Sequence, residues 1–133
     1  MSEEIKAISD KRILFVDDEE SLALLGADLL GDYGYQVTCA FNAETALQYF
    51  QQENSTFDLV ITDESMPSMS GIELAQELYR ISSATPVILC SGYLLTMQEQ
   101  GMDQTNIKAV LPKTDICFKL PDLLEELLAE QQT

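Results

Sequence analysis

The sequence predicts an α/β fold in which five short strands alternate with five helices, in the order βαβαβαβαβα. Two observations carry this. Short β-branched or apolar runs recur at residues 12–16, 35–40, 57–62, 86–90 and 107–111. The stretches between them space their apolar residues at three- and four-residue steps. Such alternation implies a parallel sheet with right-handed crossovers and helices on both faces, a three-layer sandwich. Ile13–Val16 and Leu59–Ile61 are continuously apolar, as strands covered on both faces should be.

Residues 1–10 read as a lead-in, and 11–131 as a single domain. In the first helix Leu22, Leu25 and Leu29 mark one face, and Gly31 and Gly34 end it. Asn42 is placed to cap the second, where Ala43, Ala46, Leu47 and Phe50 recur at helical steps. Ser70-Gly71-Ile72-Glu73 is a capping box, in which the serine oxygen accepts from the third helical amide and Glu73 reaches back. It opens a third helix with Leu74, Leu78 and Ile81 facing inward. The stretch after Gly92 has the weakest helical pattern, interrupted by Gly101, Asp103 and Asn106. The last helix is the plainest, with Leu120, Leu123, Leu124, Leu127 and Leu128 on one stripe and Pro121 suited to its first turn.

A chain of 133 residues can bury a hydrophobic core without disulfides or metals to staple it. Its 23 acidic and 7 basic residues give a formal charge of −16. A nucleic-acid backbone would repel that surface, so no direct nucleic-acid binding is expected. No apolar run reaches membrane-spanning length, and the first residues lack a basic-then-apolar export pattern; the expected location is cytoplasmic. Cys39 and Cys90 fall in strands and read as small buried hydrophobes, whereas Cys117, in a loop-like stretch, reads as a free thiol. The chain has no histidine. That removes Ser-His-Asp and Cys-His catalysis, and any phosphohistidine must belong to another protein.

The residues that carry chemistry stand at strand ends. Asp17 and Asp18 follow the first strand, Asp63 ends the third, Ser91 follows the fourth and Lys113 the fifth. Parallel strands present their carboxyl ends to one crevice, so three carboxylates and an ammonium converge there. Hard oxygen ligands of this kind suit magnesium, and a bound cation removes their mutual repulsion. Taken alone, Asp17-Asp18-Glu19-Glu20 is equally well explained as acidic decoration of a helix amino terminus. Ser91 can donate a hydroxyl to a phosphoryl oxygen, and Gly92 leaves room beside it.

These marks, together with Asp63-Glu64-Ser65-Met66-Pro67-Ser68-Met69-Ser70-Gly71, resemble the receiver domain of two-component response regulators over residues 10–130. The resemblance implies a flavodoxin-like (βα)5 sandwich with strand order 2-1-3-4-5. It implies Asp63 as phosphoacceptor, and Asp17, Asp18, Asp63 and the Ser65 backbone carbonyl as ligands for Mg2+ or Mn2+. Ser91, Gly92 and Lys113 would read the phosphoryl group. The implied partners are a sensor histidine kinase or histidine phosphotransfer protein, and a downstream protein met through the fourth helix, fifth strand and fifth helix. A homodimer through the last helices is compatible with the pattern.

The chain departs from the family where many members carry an aromatic residue three positions before the lysine; here that residue is Val110. Pro112 precedes Lys113 and Thr114 follows it, whereas the family usually has proline after the lysine. The run Leu89-Cys90-Ser91-Gly92-Tyr93 is more similar to receivers of hybrid sensor kinases than to chemotaxis-type ones. Two other readings compete with it. A magnesium-dependent phosphatase of the haloacid-dehalogenase type would carry Asp-x-Asp and then Thr or Val after the first strand, not Asp17-Asp18-Glu19-Glu20. A receiver-like domain that is never phosphorylated would not need Asp17, Asp18, Asp63, Ser91 and Lys113 all intact.

Overall fold

A computed structural model describes residues 11–52, 56–92 and 102–130, without the side chains of Cys117 and Glu130. The lead-in expected at residues 1–10, and most of the stretch expected to form a weak fourth helix, lie outside the described residues. The elements are β1 (Arg12–Val16), α1 (Glu20–Asp32), β2 (Gln36–Ala40), α2 (Ala43–Gln51), β3 (Leu59–Asp63), α3 (Gly71–Ile81), β4 (Val87–Ser91), β5 (Ile107–Pro112) and α4 (Ile116–Glu130). Short 3₁₀ turns occupy Met102–Gln104 and Lys113–Asp115. All strand pairs are parallel, in the order β2-β1-β3-β4-β5, which is the order the resemblance implied.

Side-chain alternation splits the core in two. Ile13, Phe15, Leu59, Ile61, Ile88, Cys90 and Leu111 form one cluster with Ala23 and Leu30 of α1 and the leucines of α4. Leu14, Val16, Val60, Val87 and Leu89 form the other with α2 and α3. Both faces of the central strands are therefore covered, which is why those runs are unbroken in hydrophobicity. A register shift between Val87 and Ile88 pairs them with Ile107 and Ala109, so β5 carries one extra residue there.

Three expectations are corrected. In α1 the residues against the sheet are Ala23, Gly26 and Leu30, while Leu25 is 55% exposed. Size decides this: a Cβ at Gly26 would lie 2.6 Å from the Phe15 ring, so only a small-residue face lets α1 approach. Ile81, the last residue of α3, is exposed because the helix ends beyond the edge of the core. The last helix begins at Ile116, not beside Pro121, and Cys117 is helical. Ile116 is buried in the α1–α4 cluster, and its burial extends the helix backwards although Pro121 supplies no amide.

The expected caps are present. Asn42 Oδ1 accepts from Thr45 N at 2.7 Å. At α3, Glu73 N donates to Ser70 Oγ at 3.1 Å and Ser70 N to Glu73 Oε1 at 2.9 Å. Glu64 completes the cap, since Gly71 N donates to its carbonyl and Ile72 N to its carboxylate, both at 2.9 Å. Leu74 N reaches the Ser70 carbonyl at 2.9 Å. The four amides that begin this helix are thus all satisfied.

Gly71 is where α3 presses on the site: a Cβ there would lie within 3.0 Å of the Asp63 carbonyl oxygen, Leu89 and the Glu64 backbone. Gly71→Ala is expected to lower unfolding stability by about 1–3 kcal/mol in urea titrations. Gly31→Ala, where a Cβ meets nothing within 4 Å, is expected to raise it by about 0.5 kcal/mol.

Candidate functional site

Parallel register brings the strand ends level. Val16 pairs with Thr62, so Asp17 and Asp63 emerge side by side. Asp63 pairs with Cys90, and Ser91 pairs with Pro112, the residue before Lys113. Asp17, Asp18 and Asp63 each place a carboxylate oxygen within 4.8 Å of the others. Asp17 and Asp63 are buried at 2% exposure, and Asp18 is exposed.

Each buried carboxylate has one oxygen held by a nearby amide. Glu19 N donates to Asp17 Oδ1 at 2.9 Å, and Ser65 N to Asp63 Oδ1 at 3.3 Å. The other oxygens face a single cation. Lys113 Nζ lies 3.2 Å from Asp63 Oδ2, 3.6 Å from Glu19 Oε1 and 3.8 Å from Asp17 Oδ2. Asp63 Oδ2 is buried and accepts no aligned hydrogen bond.

One ammonium does not neutralise this cluster. Burial pushes the Asp17 carboxyl up to about 6, with Asp63 and Asp18 adding to the rise and the Glu19 amide and Lys113 opposing it. Asp63 is raised as well, by burial and by Asp18, against the pull of Lys113 and the Ser65 amide. Burial disfavours the Lys113 ammonium, but Asp63, Asp17 and Glu19 outweigh it and lift its pKa. The Cys90 thiol beneath them is pushed up to about 12 by burial and by Asp63 and Asp17, so it stays protonated and inert.

The donor set fits a hard divalent cation: three carboxylates with oxygens within 4.8 Å of one another, and an Asp17 pKa raised chiefly by burial and further by its carboxylate neighbours. Of the residues singled out from sequence, Asp17, Asp18, Asp63 and Lys113 converge. Ser91 is buried beside them at the end of β4. Gly92 is exposed, and a Cβ there meets nothing within 4 Å among the described residues, so crowding does not require glycine. Val110 is half-buried against the cluster formed with α2 and α3. Sequence reasoning missed Glu19 as a partner of Lys113 and Glu64 as a cap. The first needed the fold; the second could be read from a carboxylate preceding a capped helix.

A family model for the response regulator receiver domain matches residues 13–127. Among curated relatives, the sensory/regulatory protein RpfC of Xanthomonas campestris is 29% identical over 124 residues, covering 90% of this chain and 17% of that protein. The chain thus spans about a sixth of the length of that relative. A CheY-like receiver domain protein from Methanospirillum hungatei superposes with a TM-score of 0.84 at 28% identity, over 93% of this chain and 98% of that one. The response regulator TrrA of Thermotoga maritima, solved in complex with Mg2+ and BeF, gives 0.78 at 31% identity, over 88% and 98%.

The raised Asp17 pKa fixes a stability signature. A carboxyl whose folded pKa exceeds its ordinary 3.8 favours the folded state below about pH 4 and loses that contribution as pH rises through about 6. Asp63 acts in the same sense. In metal-free buffer at pH 7.5, Asp17→Asn is expected to be more stable than wild type by about 1–3 kcal/mol. The difference should shrink towards zero below pH 4, as read by thermal melts across pH.

Proposed function

The chain belongs to the response regulator receiver domain family, and from that premise we propose that Asp63 accepts a phosphoryl group from a phosphohistidine on a partner protein. The partner is a sensor histidine kinase or a histidine phosphotransfer protein, because this chain has no histidine of its own. The observation that carries the reading is the pairing of a buried Asp63 carboxylate oxygen with the Lys113 ammonium at 3.2 Å.

Asp17, Asp18, Asp63 and the Ser65 carbonyl would hold the cation, Mg2+ or Mn2+, which when bound supplies positive charge to the phosphoryl oxygens. The Asp63 carboxylate attacks phosphorus in line, an O–P bond forms, and the P–N bond to the donor imidazole breaks with its electron pair leaving on nitrogen. Lys113 shifts from its carboxylates to a phosphoryl oxygen, and the Ser91 hydroxyl donates to another. Burial keeps the Asp63 nucleophile out of bulk water, and the Ser65 amide fixes its orientation.

Output follows from the change of charge at the end of β4. Attraction of Ser91 to the phosphoryl group shifts the end of β4 and alters the neighbouring surface of β5 and α4. Val110 is aliphatic, so this proceeds without an aromatic rotamer switch at that position. The chain acts as a phosphoacceptor in the cytoplasm, its chemistry limited to gaining and losing its own phosphoryl group, within one domain over residues 11–131. No helix among the described residues is long and apolar enough to cross a membrane.

Incubation with Mg2+ and acetyl phosphate is expected to add one phosphoryl group, labile to hydroxylamine and seen by intact mass. Asp63→Ala or chelation of the metal should abolish it, and Lys113→Ala should slow it roughly a hundredfold. Wild-type protein that stays unmodified would sink the reading. Release of many phosphates per chain from phosphate esters would replace it with the phosphatase.

A further inference from the structure

We propose that Glu19 is a positioning residue that acts through Lys113: it holds the ammonium at the mouth of the site and slows phosphoryl entry in proportion to the donor's negative charge. The inference rests on Asp63 being the phosphoacceptor.

Glu19 is the N-cap of α1, with an extended backbone of φ −86° and ψ 103°. At that position a short polar side chain ordinarily turns back to accept a first-turn amide. Glu19 makes no such bond, and its carboxylate lies 3.6 Å from Lys113 Nζ instead. Its backbone is fixed from both sides. The amide donates to Asp17 Oδ1 at 2.9 Å, and the carbonyl accepts from Leu22 N and Ala23 N, both at 3.1 Å.

Lys113 is therefore flanked asymmetrically. Asp17 and Asp63 are buried, with side chains 3% and 1% exposed, whereas the Glu19 side chain is 63% exposed. An incoming donor reaches Asp63 from the solvent side and meets the Glu19 charge there. The same charge offsets the Lys113 ammonium that attracts it. For a single exposed charge in high dielectric the effect is about threefold in rate per unit of donor charge. Acetyl phosphate, a dianion near neutral pH, should feel it about twice as strongly in free energy as phosphoramidate, which carries one negative charge fewer.

The test compares wild type with Glu19→Gln, which keeps side-chain length and removes no cap bond. Phosphorylation rates are measured with each donor at saturating Mg2+ and pH 7.5. The expected gain is roughly tenfold with acetyl phosphate and threefold with phosphoramidate, both shrinking at about 1 M salt. In the metal-free protein the Lys113 side-chain nitrogen resonance, assigned through Lys113→Met, should move in Glu19→Gln. Equal gains with both donors, no gain, or an unmoved resonance overturns the proposal while leaving the phosphoacceptor reading intact. Failure of wild type to react with either donor strikes that reading instead.

Discussion

Two buried carboxylates share one ammonium at the carboxyl edge of a parallel sheet, and that imbalance organises the molecule. Asp17 and Asp63 sit side by side because β1 and β3 are neighbours in register, and each is almost fully removed from water. Burial raises the pKa of both, neighbouring carboxylates add to the rise, and Lys113 offsets only part of the cost. The resting site is therefore electrostatically unsatisfied. It gains from any added positive charge, and its buried oxygen, Asp63 Oδ2, faces only the Lys113 ammonium at 3.2 Å among the described residues. The proposed binding of a cation and the proposed reaction with a phosphoryl group draw on this same imbalance.

Holding that arrangement requires a rigid surround. Gly71 lets α3 sit against the Asp63 carbonyl, and Glu64 and Ser70 satisfy the amides that begin the helix. The connection from β3 passes through Ser68 with a φ of 72°, a left-handed conformation that a non-glycine residue adopts at some cost. On the other face Ala23 and Gly26 let α1 approach Phe15 closely, and the leucines beside them are left to line the surface near Lys113 and Ile116. Packing density around the site thus comes from small residues at contact points rather than from large ones.

The same geometry gives the chain a use for its charge. Net charge is −16, and among the described residues Lys113 is the ammonium that faces the carboxylates of the candidate site, so their field disfavours anions. Glu19 lies on the outer side of Lys113, 3.6 Å from its ammonium. The chain belongs to the receiver family, and its own marks at the site are Glu19 beside Lys113 and Val110 where many members carry an aromatic residue.

The sequence by itself determined the strand and helix alternation, the caps at Asn42 and Ser70, and the strand-end positions of Asp17, Asp18, Asp63, Ser91 and Lys113. These are legible because they depend on period, local hydrogen bonding and the shared direction of parallel strands. Only the tertiary structure decided which face of α1 is buried, that α4 starts at Ile116 despite Pro121, and that Glu19 turns to Lys113 instead of capping its helix. A hydrophobic pattern records polarity and not size, so it pointed to Leu22, Leu25 and Leu29 where Phe15 admits only Gly26. Glu19 and Lys113 are far apart in the chain. What one side chain does there is set by a charge that another strand delivers.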